Sequence, residues 1–197
     1  MTTRRRFLEA IVAAGGVAML DACVTTPTSA TSTDKRAEIQ KMRSDTLGEL
    51  YQAHPPARSR VQQAVGYAVF SNIGVNLILL SAAGGSGVAH DNRTGQDTYM
   101  KMLSGGLGLG LGVKDFRGVF VFTTPKAFTN FVDSGWEANV QADAAAIAEG
   151  KGGAVTGAVT VAPGMDLYQL TKNGLALQAT IQGTKYYKDD ELNPSGR

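Results

Sequence analysis

The sequence predicts an α+β domain: two N-terminal helices, one helix in the middle of the chain, and an antiparallel sheet strongly curved or closed into a barrel. Three observations carry this. An amphipathic pattern after Asp34 stops at Pro55-Pro56, short branched or aromatic runs punctuated by turn residues follow from Gly66 onward, and the 24 glycines among 197 residues lie inside apolar stretches and form no Pro/Ser-rich linker. With 43% hydrophobic and 18% charged residues the chain is long and apolar enough for one ordinary core. A net charge of +2, without a run of one sign, offers no phosphate-tracking stripe and argues against nucleic-acid binding. One Cys excludes an internal disulfide framework or a multi-Cys metal site, and two His leave little for catalysis.

The first segment is an address. Arg4-Arg5-Arg6 opens a basic region, and Phe7 to Leu20 is apolar apart from Glu9. This run falls short of the ~20 residues that span a bilayer and has the form of an export signal, removed after export. Thr3-Arg4-Arg5-Arg6-Phe7-Leu8 resembles the twin-arginine type, with Glu9 where a Lys is usual. Leu20-Asp21-Ala22-Cys23 resembles the lipobox of bacterial lipoproteins, so residues 1–22 are expected to be cleaved. Cys23 would then be the lipid attachment site, carrying a covalent diacylglycerol and an acyl chain. Val24 in place of an Asp after the Cys directs the expectation to the outer membrane, facing the periplasm. Residues 23–33, rich in Ser and Thr, read as a lipidated flexible tether.

The domain proper is expected over residues 34–187. From Asp34, Ile39, Met42, Leu47, Leu50 and Tyr51 share one helical face while Lys35, Arg36, Lys41 and Arg43 stay off it. Pro55-Pro56 ends that helix after His54, and Pro56 suits the first turn of a short helix through Gln63. Gly66 to Ile73 and Val75 to Leu80 read as strands, and Gly84-Gly85 as a bend before Gly87 to His90. Asp91 to Gly95 reads as a hairpin turn, with Asp97 to Leu103 returning. Gly106 to Val113 alternates Gly with Leu or Val, a strand with one bare backbone face. Asp115 to Gly118 reads as a turn, Val119 to Phe122 as a strand, and Pro125 to Asp133 as a helix whose Phe128 and Phe131 would cover the glycine face. Period-two residues between Gly135 and Ile147 favour a strand, and residues 149–153 a loop. Ala154 to Val161, Met165 to Thr171 and Leu175 to Tyr187 complete the β segments, with Lys172-Asn173-Gly174 as a hairpin turn. Residues 188–197 read as a polar tail, frayed around Asp189 to Glu191.

Several of these pieces recur together in one order. Gly66-Tyr67-Ala68-Val69-Phe70 with Gly74, Gly85-Ser86-Gly87-Val88, the glycine-alternating strand, Val119 to Phe122 before Ala127-Phe128, and Tyr168 with Lys172 to Leu177 resemble the SYLF domain, also called the Ysc84 family. The resemblance covers about Asp34 to Tyr187. It implies a non-enzymatic lipid-binding module: eukaryotic members bind phosphoinositide-containing membranes, some bind actin, and bacterial members are often secreted or lipid-anchored. The sequence departs from the family at Gly174-Leu175-Ala176-Leu177-Gln178 and at Glu149-Gly150-Lys151.

Other chemistries find little footing. A phosphate loop needs glycines in a turn opening a helix, and here they alternate through a strand. His90, Asp91 and Asp97 flank a hairpin turn, where polar residues belong, so no metal or cofactor is expected. Ser104 and Ser134 have no nucleophile-elbow context. Lys35, Arg36, Lys41 and Arg43, with Arg58 and Arg60 nearby, cluster near the anchor and are candidates for contact with anionic phospholipid, at roughly 1 kcal/mol each. Three function classes follow: a lipid-anchored envelope protein with a lipid-binding domain, a scaffold lipoprotein for a protein partner, and a hydrolase. The first is preferred.

Overall fold

The computed structural model describes residues 30–72, 84–104, 116–138, 157–171, 174–176 and 183–193. Two helices open this part of the chain, α1 (Ser32–Ala53) and α2 (Pro56–Gln63), followed by β1 (Gly66–Ser71), β2 (Gly84–Asp91), β3 (Asp97–Ser104) and β4 (Arg117–Phe122). Then come α3 (Pro125–Asp133), β5 (Trp136–Glu137), β6 (Val159–Ala162), β7 (Met165–Thr171), β8 (Gly174–Ala176) and β9 (Thr184–Lys188). The strands form one sheet in the order β5-β9-β3-β2-β1-β4-β7-β6, with β8 also on β7. All pairings are antiparallel. This is an α+β fold on a strongly curved, half-barrel sheet.

Local chemistry explains the helices. Thr31 caps α1, its hydroxyl accepting from the Asp34 amide while the Asp34 carboxylate accepts from the Thr31 amide. The helix therefore begins earlier than expected, and Thr31 to Thr33, read as tether, belong to the domain. His54 ends α1, and Pro56 opens α2. The carbonyls of Val61 and Ala64 at the far end of α2 accept from the Asn92 side chain in the β2–β3 turn. Thr124 caps α3 with Pro125 in its first turn, matching the predicted bounds.

Period-two alternation divides the sheet into two faces. On the α3 face Ala68, Phe70, Ala89, Met100, Met102, Phe120, Phe122 and Leu167 pack with Phe128, Phe131 and Tyr186. On the α1 face Val69, Val119, Val121, Tyr168 and Leu170 pack with Leu50, Ala57 and Val61. Central β1 shows how the first face holds so many rings. Phe70 stands opposite Gly87 of β2 on one side and Gly118 of β4 on the other. A Cβ on Gly87 would sit against the Phe70 ring and 2.5 Å from the Val69 carbonyl, and one on Gly118 would lie 2.7 Å from Phe116. These glycines are the gaps that large neighbours fill.

Five further expectations need correction. Gly84 and Gly85 make no bend: they are paired in β2 with Leu103 and Met102. Arg117 and Gly118 are in β4, not in a turn, because β1 and β7 pair with both. Gly174 is the first residue of β8, paired with Thr171, and is not part of the turn. The expected last strand is two strands: β8 lies on β7, while β9, entered through the positive-φ Gly183, pairs with β3. The tail is docked as far as Asn193, with Asp189 4% and Leu192 3% exposed. The expected strands at 75–80 and 106–113, the loop at 149–153 and most of the segment 135–147 lie outside the described residues. The glycine face that Phe128 and Phe131 were expected to cover, at 106–113, is among these; Phe128 packs instead against Gly66 of β1, whose added Cβ would lie 2.6 Å from its ring.

Candidate functional site

Four sequence-predicted cations sit on α1, and the fold gives each a partner. The Lys35 ammonium is 2.6 Å from Glu191, which holds that carboxyl below its usual range and the ammonium above its own. Arg36 donates from Nε to the Leu192 carbonyl at 3.0 Å and lies over the Tyr99 ring. Lys41 pairs with Asp45 one turn later at 2.5 Å, both groups exposed. Arg43 donates from one guanidinium nitrogen to both oxygens of Asp97, at 3.0 and 3.1 Å. The nearby arginines are engaged too, Arg58 over the Tyr51 ring and Arg60 on Asp166 at 2.6 Å. The cations are thus brought to one helix, but as half of a compensated network and not as a bare positive patch.

Asp97 is the hub. It accepts from Arg43 and from Gln40 at 2.8 Å, and the His90 Nδ1 lies 2.6 Å from it. The His90 ring also packs on Tyr67. Asp91 is gripped by Arg93, which holds its carboxyl below the usual range. His90 and Asp97 thus meet each other while Asp91 is taken by Arg93, and among the described residues no group of three or more His, Cys, Asp or Glu could hold a metal ion. His54 terminates α1 and packs on Tyr168. Ser134 caps α3, and the side chain of Ser104 lies outside what is described. Cys23 also lies outside the described residues.

Residues 189–193, read as fraying, build the end of the molecule where α1 starts. The Asn193 side-chain amide accepts from the Tyr99 amide at 2.9 Å and donates to the Tyr99 carbonyl at 2.7 Å, standing in for a strand beyond the end of β9. Asp189 meets Lys101 at 3.0 Å. Between this tail, β3 and α3 opens a cleft of about 560 Å³, with Phe128, Val132 and Leu192 as its apolar part and Thr129, Asp133, Lys188 and Asn193 among its polar borders. Sequence reasoning missed this cleft. The only available signal was Leu192, an isolated apolar residue in a polar tail. Among the described residues no helix is long and apolar enough to cross a membrane.

An α+β domain with a half-barrel sheet, a charge-compensated helix and an open cleft is the class that fold and site define. No protein-family model matches the chain. Residues of the chain are 36% identical over 167 positions to Beta cell expansion factor A of Aeromonas veronii, a match covering 85% of this chain. The chain spans 62% of the length of that relative.

Proposed function

We propose that the protein is a lipid-anchored, non-enzymatic protein of the bacterial envelope whose SYLF-like domain binds phospholipid. Cys23 carries the acyl anchor after export through the twin-arginine-like leader, at the outer membrane facing the periplasm. The observation that carries this reading is the short distance between anchor and fold. From Cys23 to the Thr31 cap the chain spans no more than about 30 Å even fully extended. The start of α1, the docked tail and the cleft beside it are thereby held near the bilayer. The α1 cations strengthen attraction to anionic lipid only insofar as a headgroup competes with their carboxylates. Lys41, whose side chain is 77% exposed and whose partner is itself exposed, is the best placed of the four.

The test uses the full chain with Cys23→Ser, which removes the anchor and leaves the domain whole. This variant should float with anionic vesicles, less at high salt. Failure to bind any vesicle at any salt concentration overturns the lipid-binding reading in favour of a scaffold for a protein partner. Mass spectrometry of the mature wild-type N-terminus tests the anchor: an unmodified Cys23 rejects it.

The similarity to Beta cell expansion factor A favours a second reading, in which this chain shares the effect on beta cells for which that protein is named. Applying the purified protein to cultured beta cells and counting divisions tests it, and an unchanged count rejects it.

A further inference from the structure

The cleft beside the tail holds charges that nothing in the described residues consumes. Of its carboxylates, Asp91 is occupied by Arg93, and Asp97 by Arg43 and His90. Asp133 and Lys188 are different: both border the cleft, they are of opposite sign, and neither side chain takes part in any hydrogen bond or ion pair among the described residues, with each other or with a third group. They stand on separate elements, the last turn of α3 and the last residue of β9. Two opposite charges that face one open space without closing on each other suit a ligand that itself carries both signs. The remaining wall offers apolar surface in Phe128, Val132 and Leu192. Its place in the fold is equally specific. Leu192 and Asn193 belong to the tail that Lys35 and Arg36 of the first turns of α1 hold, so the cleft opens at the end of the domain that the proposed anchor keeps nearest the bilayer.

We propose that this cleft takes the headgroup of an ethanolamine phospholipid, with the primary ammonium on Asp133, the phosphodiester on Lys188 and the glycerol end against the apolar wall. The proposal rests on the lipid-binding reading and names its headgroup. A primary ammonium donates hydrogen bonds to a carboxylate, whereas the quaternary ammonium of a choline lipid has none to give. A purely anionic headgroup would find Lys188 but leave Asp133 opposed to it.

The experiment is flotation of the full-chain Cys23→Ser variant with three vesicle types: phosphatidylcholine alone, phosphatidylcholine with phosphatidylethanolamine, and phosphatidylcholine with phosphatidylglycerol. The ethanolamine vesicles should bind about three- to tenfold more protein than choline vesicles, the ratio expected from one or two charge-assisted contacts. Asp133→Asn and Lys188→Gln should each remove that increment, while Lys185→Gln, a neighbouring exposed lysine on β9 outside the cleft, should keep it. Both cleft positions are at the surface, and an unchanged thermal midpoint confirms that the variants are folded. Binding to all three vesicle types alike, or binding that survives Asp133→Asn, overturns the headgroup proposal and leaves lipid binding standing. Absence of binding to every vesicle overturns both. Equally tight binding of soluble phosphoethanolamine, displacing no vesicle, would assign the cleft to a free small molecule and overturn the membrane source.

Discussion

The two faces of the sheet are held by different physics. Against α3 the packing is of rings and sulfur: Tyr186 lies 4.8 Å from Phe70 and 5.0 Å from Phe120, ring centre to ring centre, and Phe131 lies 5.0 Å from Phe122. Against α1 the buried layer is mainly Val and Leu, and the 22-residue helix buries only Ile39, Thr46 and Leu50. Above that layer, ions do the fastening: Arg43 on Asp97, Lys35 on Glu191 and Glu49 on Arg117. One face should therefore resist changes of volume and the other changes of charge, and the difference can be put to experiment.

The largest effect is expected at Phe131→Ala, which empties the centre of the ring cluster and should cost about 3–5 kcal/mol in denaturant unfolding. Gly87→Val should follow at about 1–3 kcal/mol or somewhat more. Shrinking its ring neighbour with Phe70→Leu should not rescue it, since the Val69 carbonyl remains in the way; full rescue would show that only the ring mattered. On the charged face, Asp97→Ala leaves Arg43, Gln40 and His90 without their common acceptor and should cost about 1–3 kcal/mol, less at high salt.

A smaller effect of opposite sign is expected inside the ring cluster. The Tyr186 hydroxyl is buried with no hydrogen-bond partner among the described residues, and burial raises its pKa well above the usual tyrosine value. Tyr186→Phe should be neutral or stabilise by up to about 1 kcal/mol, and a loss measured by the same unfolding curves would reveal a partner for that hydroxyl. The smallest effect belongs to Lys35→Gln, a slight fall in thermal midpoint. Its pH dependence has a definite sign. Glu191 has a depressed folded pKa, so the pair's contribution is present above the usual Glu value of about 4.3 and fades as the pH falls through the folded one. Lys35 has a raised one, so the contribution is complete below about 10.4 and is lost as the pH rises further. Wild type and Lys35→Gln should therefore converge at both extremes of pH.

What could be read in advance follows the same division. α3 was legible to the residue because Thr124, Pro125 and the spacing of Phe128 and Phe131 are local signals, and the hairpin joining β2 and β3 was legible to within a residue, Asp91 being the last residue of β2 and not part of the turn. The ring cluster was half legible: the strands were identified, but that Phe70 needs Gly87 and Gly118 as neighbours depends on register, which no single segment contains. The ion network was illegible for the same reason, since Lys35 and Glu191 meet across almost the whole chain. Asp189, Glu191 and Asn193 looked like a solvated end because their partners, Lys101, Lys35 and the backbone of Tyr99, lie far away in sequence. The cleft inherits that blindness, being assembled from β3, α3 and the tail.

The position of β9 between β3 and β5 has a consequence for the chain as it is made. Until residues 184–192 have been made, the edge of β3 is bare and the first turns of α1 have no Glu191 or Leu192 to meet. A nascent chain can close the hairpin of β2 and β3 and wind α3 from local contacts, yet sealing the ring cluster waits for Tyr186. The sheet is therefore sealed by a strand far along the chain from its partners, and a chain truncated ahead of β9 would leave an open sheet edge for quality control to recognise.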